Sequence, residues 1–444
     1  MPMVDVRYYD IRCVRGEITL VDIDNGVIES AGTSFFDKAV VRVLGPKGWG
    51  FLTRDHVDID SRREVESLVE AASRLAAVTE DNLDLAAAPR GVLGVPPLGE
   101  DPREVDLEEK TRLLAGIEEA ARVPGVGNTR ARYTEGIDSV RFLDSSGNEY
   151  AYEAVRSGFS VLAIASKNGV MQMGSERDHT ITGFNLRGKQ DLGRKAGEVA
   201  VSLLSAKIPK GGTKRAVLDP ELAGVFTHEA VGHASEGDLV REGASVLGGK
   251  IGEAIGCAGL VIVDDPTLHE FGFMPVDAEG VAVERTEIVR DGILSSYLHN
   301  RETLAAVGNG IAGHARSEHG APPIVRMSNT FIENGDATHD EILEECRDGI
   351  LLIGSRGGQV DPGRGVFQFN AEYGYLIEDG EKAGMVRDVS LSGEILSTLH
   401  SIALVGNDRK MSPGYCGKGG QSVPVSDGAP HLLLEGATIG GRGE

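Results

Sequence analysis

Six residues near the middle of the chain, His228-Glu229-Ala230-Val231-Gly232-His233, restrict its possible folds more than any other feature. Two neutral imidazoles are good zinc ligands, and the carboxylate between them is placed to take a proton from a water that the metal acidifies. Both rings can reach one ion only if the backbone joining them is ordered. In the familiar His-Glu-x-x-His pattern the histidines sit four apart and share a helical face; here they sit five apart. At about 100° per residue, five residues turn about 140° around an ordinary α-helix, which splays the rings. A local π-type widening would bring them back together, and Gly232 is well placed to allow it. The plain alternative is a surface histidine pair beside an incidental Glu.

The flanking residues favour an ordered element. Ala216-Val217-Leu218 reads as a short strand, and Asp219-Pro220 is an N-cap followed by a first-turn proline. Leu222, Ala223, Val225, Phe226, Ala230 and Val231 supply apolar faces for a helix that reaches about Asp238.

The rest of the chain alternates strand-like runs with turns. Val4–Val14 and Ile18–Asp22 read as strands separated at Arg15-Gly16, and Val40–Leu44 with Gly50–Thr53 read as a hairpin around Pro46-Lys47-Gly48. Ser61 and Glu64 have capping-box spacing ahead of a helix through Val65, Leu68, Val69, Ala72, Leu75 and Ala76. Ala87–Glu100 is a Gly/Pro/Ala-rich loop. Asp101-Pro102 opens a second helix with Val105, Leu113, Leu114 and Ile117 inward. Tyr133–Ile181 returns to strands, and a third helix runs from Asp191. Pro209-Lys210-Gly211-Gly212 marks the boundary between two expected domains. Residues 1–210 form a mixed α/β domain. Residues 211–444 form a β-rich domain with one metal-binding helix and a short one near His339–Arg347. The fold class expected is α+β.

Charge and cysteines narrow the function. Lys plus Arg number 45 against 68 Asp plus Glu, a net charge of −23 that repels nucleic-acid phosphates and anionic membranes. Neither partner is expected. No stretch of 18 apolar residues occurs, and Met1–Asp10 carries no hydrophobic signal segment, so a cytoplasmic location is expected. Cys13, Cys257, Cys346 and Cys416 are too widely spaced to suggest a disulfide frame or a four-Cys site.

A catalytic zinc site usually needs a third protein ligand. Glu236 and Asp238 lie just beyond His233. Cys416 lies in the glycine-rich run Gly414-Tyr415-Cys416-Gly417-Lys418-Gly419-Gly420-Gln421, where Lys418 would favour a thiolate. Spacing does not choose among the three.

The motif, followed by Glu236-Gly237-Asp238, resembles the TldD/PmbA family of zinc metallopeptidases, in its TldD-type, metal-bearing branch. Further segments carry the resemblance in family order: Tyr297-Leu298-His299-Asn300-Arg301, Arg326-Met327-Ser328-Asn329-Thr330, Gly357-Gly358-Gln359-Val360-Asp361-Pro362, Gly374-Tyr375-Leu376-Ile377 and Cys416 to Val425. Arg42-Val43-Leu44 and Trp49-Gly50-Phe51 extend it loosely into the first half. Asp277-Ala278-Glu279-Gly280 departs from the family's Asp-Asp-Glu-Gly.

The resemblance implies a Zn2+ ion held by His228, His233 and Cys416, with Glu229 as general base in the hydrolysis of peptides or unfolded protein segments. It also implies a dimer, with a second copy or a PmbA-type chain. Arg301, Asn329 and Tyr375 are candidates for positioning substrate or stabilising an oxyanion. A β-rich second half could hold an extended peptide by strand addition. Two rival functions use the same residues. One is a deformylase-like hydrolase of small amides. The other is a structural zinc clamp closed by Glu236, in a scaffold or peptide-holding subunit.

Overall fold

The computed structural model describes residues 5–81 and 83–441. Val4, the expected start of the first strand, lies outside them, as do the outermost residues of both expected domains. The first half is built on one antiparallel sheet. Its strands are β1 (Tyr8–Asp24), β2 (Val27–Gly45), β3 (Gly48–Asp55), β4 (Val126–Asp144), β5 (Glu149–Lys167) and β6 (Val170–Thr180), in the order β3-β2-β1-β4-β5-β6. β1 runs straight through Arg15-Gly16, where a break was expected from the sequence. Gly16 serves closeness rather than a turn. A Cβ there would lie 2.3 Å from the Ile137 carbonyl oxygen and 2.7 Å from the Phe36 ring.

Three helices cover one face. α1 (Arg62–Ala76) packs on β2 and β3; α2 (Leu107–Ala120) and α3 (Gln190–Leu203) pack together, α2 on β4 and α3 on β5 and β6. Leu114, Ile117, Ala196 and Ala200 close over Tyr133, Phe159 and Ala163. Each is essentially removed from water, which stabilises by about 1.5–3 kcal/mol per large apolar side chain. The expected capping box at Ser61 is not made, because the Ser61 side chain forms no cap hydrogen bond. Asp101 caps only a 3₁₀ turn, Pro102–Glu104. Val105 is extended, and Asp106 starts α2 by accepting from Glu109 N at 2.7 Å.

The second half holds two further sheets with a helix between them. β7 (Gly212–Leu218) is central in a nine-stranded sheet, antiparallel to Leu432–Gly440 and parallel to Gly349–Ile353. Ile262–Asp264, Asn329–Ile332, Gln421–Ala429 and Lys410–Lys418 are successive neighbours in a six-stranded sheet, with Lys410–Lys418 at its edge. α4 (Pro220–Thr227) leaves β7 and touches strands of both sheets. Leu222, Phe226, Val231, Met327, Leu352 and Val423 fill the core around it. Short helices at Gly237–Arg241, Arg301–Val307 and Ile395–His400 add to the two expected from the sequence. With five to seven residues each, they are too short to display a helical period.

Buried charge fixes the halves to each other. Arg42 on β2 donates from Nε to Asp10 at 2.9 Å and from Nη1 to Glu279 at 3.0 Å, with all three side chains buried. Glu279 also accepts from Arg301 N at 2.9 Å. Removing one member of such a network leaves an uncompensated buried charge, at a cost of about 3–5 kcal/mol. The loop after α1 runs across the second half, where Ala86 N donates to Arg301 O and Leu93 N to Pro275 O.

Candidate metal centre

The six-residue motif continues α4 without a break but changes its winding. His228–Gly232 forms a π turn, His233–Ser235 a 3₁₀ turn, and Glu236 is extended at φ −66°, ψ 122°. The helix therefore ends short of Asp238. The wider turn brings the two imidazoles together, with ring centroids 5.2 Å apart and planes at 87°. Gly232 leaves room for the buried Met327 side chain, whose Sδ would lie 1.9 Å from a Cβ added there.

Cys416 reaches the pair from the edge strand Lys410–Lys418. Its Sγ lies 3.2 Å from His228 Nε2 and 3.4 Å from His233 Nε2. All three donor atoms fall within 4.8 Å of one another. Arg326 is wholly buried and donates from Nη2 to the Cys416 carbonyl, which fixes the strand at this point. Burial pushes the Cys416 thiol up, but hydrogen bonds and positive charge from the two histidines prevail and bring it down to about 4. Burial works against protonation of His228, and the thiolate overcomes it, so its pKa is raised. His233 is also buried, yet Glu236 and Cys416 raise it well above the usual value.

Two imidazoles and one thiolate converging on a point form a donor set that suits tetrahedral zinc, with a fourth position left for a small ligand. Ions of this kind bind the deprotonated forms, so protons and a metal compete for these donors. His228 Nδ1 and Asp427 Oδ2 are both buried without a hydrogen-bond partner among the described residues.

Glu236 and Asp238 are positioned behind the cluster. Glu236 bonds His233 Nδ1 at 3.0 Å, on the ring edge opposite the nitrogen that faces Cys416. A carboxylate on the far ring nitrogen is a common partner of metal-binding histidines. Lys418 does not act on the thiol as its position in the sequence suggested. It pairs with Glu236 at 3.0 Å and Asp238 at 2.7 Å. Glu229 stands at the front, partly exposed, with Oε2 3.8 Å from His233 Nε2.

These groups open on a cavity of about 470 Å³. Gly357-Gly358 and Pro413–Gly417 line it, and Arg177 and His179 reach it from the first half. Gly358–Asp361 ends the nine-stranded sheet and Lys410–Lys418 ends the six-stranded one, so two strands with unpaired edges flank the cluster. Arg177, His179 and Asp427 went unnoticed in the sequence, because no motif or spacing ties them to the histidines.

The three candidate substrate residues are not brought to the cluster. Asn329 is wholly buried; it donates to the Asp265 and Leu268 carbonyls and accepts from Gly272 N, pinning that loop. Arg301 donates to the Ala86 carbonyl and lies over the Tyr8 ring at 4.8 Å. Tyr375 packs against a separate apolar group that includes Val217 and Leu351.

An acid-rich cavity adjoins the first and shares Arg177, His179 and Pro413 with it. Within it Glu372 accepts from Ser175 Oγ at 2.7 Å, and burial raises its pKa from 4.5 to about 7. A raised folded-state pKa contributes stability that is complete below pH 4.5 and is lost as pH rises through about 7. Glu372→Gln does not titrate. The variant should therefore gain about 1–3 kcal/mol over wild type above pH 7, read as a difference in Tm that opens between pH 5 and pH 8. A difference independent of pH would show that Glu372 is not the titrating group.

Family models described as PmbA/TldA metallopeptidase domains match the chain throughout: domain 1 over residues 9–77, the central domain over 100–204 and the C-terminal domain over 211–441. A metalloprotease of Archaeoglobus fulgidus is 41% identical over 437 residues, covering 98% of this chain and 100% of that one. A zinc metalloprotease TldD homolog of Saccharolobus solfataricus is 27% identical over 449 residues, covering 98% and 96%. Among solved structures, a putative modulator of DNA gyrase from Thermotoga maritima superposes with a TM-score of 0.82 at 21% identity, over 98% of this chain and 96% of that one. That likeness concerns the fold.

Proposed function

The chain belongs to the TldD/PmbA family of metallopeptidases, and on that premise we propose that it is a zinc peptidase acting on peptides or unfolded protein segments. The observation that supports this most is the convergence of His228, His233 and Cys416 on an open cavity beside Glu229. When bound there, zinc would supply Lewis acidity and bring the pKa of a water towards about 7. The Saccharolobus zinc metalloprotease is a separate protein; zinc is proposed here on the donor set.

The chain's own residues then divide the work. Glu229 Oε2 takes the proton of the attacking water, holds it, and returns it to the leaving amine. Glu236 keeps His233 in one orientation through Nδ1. The free edges of Gly358–Asp361 and Lys410–Lys418 bind the main chain of an extended substrate, a mode that would tolerate varied side chains. A small-amide hydrolase would want a closed acyl pocket, whereas this cavity runs between two strand edges. A closed structural clamp would want a fourth protein ligand, but Glu236 is turned to the far side of His233.

Cleavage of an unfolded casein tests the reading. Activity should vanish when the purified protein is stripped by a chelator and return with about one zinc per chain. Cleavage that survives complete removal of metal would refute it.

A further inference from the structure

A third cavity, of about 300 Å³, shares Tyr415 as a wall with the metal cavity. It lies between the first sheet and the second half, lined by Arg12, Arg156 and Arg316. Arg316 is only 5% exposed. Its Nη1 donates to the Met327 carbonyl at 2.7 Å, and the guanidinium makes no other hydrogen bond and no ion pair among the described residues. Arg156 donates to the Phe271 and Phe273 carbonyls and Arg12 to Ser317 Oγ; neither has a carboxylate partner among the described residues. Two acids also line the cavity. Asp138 is bonded to His319 at 3.0 Å, and Glu318 accepts from Ser422 N at 3.1 Å.

A buried arginine without a counter-ion is costly. Arg42 is matched by two carboxylates, and Arg326, buried with no ion pair among the described residues, donates to the Cys416 and Gln421 carbonyls and does not line this cavity. Arg316 has Arg156 and Arg326 near it, with Asp264 and Cys416 acting the other way. Burial and repulsion by Arg156 and Arg326 lower its pKa to about 9. Guanidinium groups are well shaped to receive a carboxylate through paired hydrogen bonds. A cavity of this size accommodates one or two residues of a peptide.

We propose that this cavity is a subsite for a carboxylate of the bound peptide, held by Arg316 with Arg12 and Arg156. The inference rests on the peptidase reading, since it places an acidic group of the substrate one wall away from the metal cavity. The carboxylate is either the peptide's C-terminal group or an Asp or Glu side chain. General electrostatics would act the other way, because a protein of net charge −23 repels acidic peptides. A preference for acid therefore requires a local site.

The test is binding, measured by anisotropy of a dye-labelled unstructured peptide in three forms. These are an amidated neutral peptide, the same peptide with a free C-terminus, and an amidated version carrying an internal Glu. Wild type should bind at least one acidic form about ten-fold more tightly than the neutral one, and the form preferred identifies the carboxylate. Arg316→Met should bring the ratio to within about two-fold, and Arg316→Lys should restore part of it. If Arg316→Met does not fold, Arg12→Met carries the test and should reduce the ratio at least three-fold. Equal binding of all forms by wild type would overturn the proposal, as would a preference that survives both methionine variants. Binding is read without turnover, so this result stands apart from any failure of casein cleavage.

Discussion

Glu229→Gln should keep its zinc and lose about 10²- to 10⁴-fold in kcat, the usual contribution of a positioned general base. The glutamine amide matches the carboxylate in size but cannot hold a proton. Glu229 is not among the three converging donors, and its Oε2 stands 3.8 Å from His233 Nε2. Metal content should therefore be unchanged. KM should change little, because the strand edges rather than Glu229 bind the main chain. Zinc analysis and steady-state kinetics on the same preparation check this. A variant that retains metal and cleaves at the wild-type rate would remove Glu229 from the mechanism.

Cys416→Ala should have a broader effect, losing both metal and cleavage. The thiolate is the one anionic donor of the three, and its two histidine contacts are what lower its pKa to about 4. Two imidazoles without it would bind zinc more weakly by more than about 100-fold, since even indirect partners of metal ligands are worth 10–100-fold. The fold should survive. Cys416 is a small buried side chain, and the bond from Arg326 goes to its backbone carbonyl, which alanine keeps. Thermal melting separates loss of fold from loss of metal. Full zinc content with full activity in this variant would exclude Cys416 as a ligand.

The sequence revealed the local geometry of the site better than its assembly. A five-residue histidine spacing is incompatible with one face of an α-helix, so once both rings are taken to share one ion the π turn at His228–Gly232 follows from angular arithmetic. Glu236 was left open as a third ligand because a sequence shows proximity to His233 without showing which ring nitrogen it meets. Cys416 could be chosen over the nearby acids only by family resemblance. The contact is made by pairing of Lys410–Lys418 with Gln421–Ala429 in a sheet whose other strands come from distant segments. The same holds for Arg177 and His179, delivered by β6 across the boundary between halves. In the first sheet the β2–β3 hairpin was legible from the turn at Pro46-Lys47-Gly48, whereas the full length of β1 and β2 was not. Gly16 misled, since a glycine that admits a neighbouring carbonyl looks the same as one that turns the chain.

The separation of the donors along the chain has a consequence for synthesis. His228 and Cys416 are 188 residues apart. Chains fold from the N-terminus as they emerge, at about 5–20 residues per second, so for some tens of seconds a growing chain presents both histidines and no thiolate. During that interval its own unfinished segments belong to the substrate class proposed for the mature protein. On the proposed ligand set, the growing chain should be unable to cleave itself or its neighbours on the ribosome until the strand carrying Cys416 is in place.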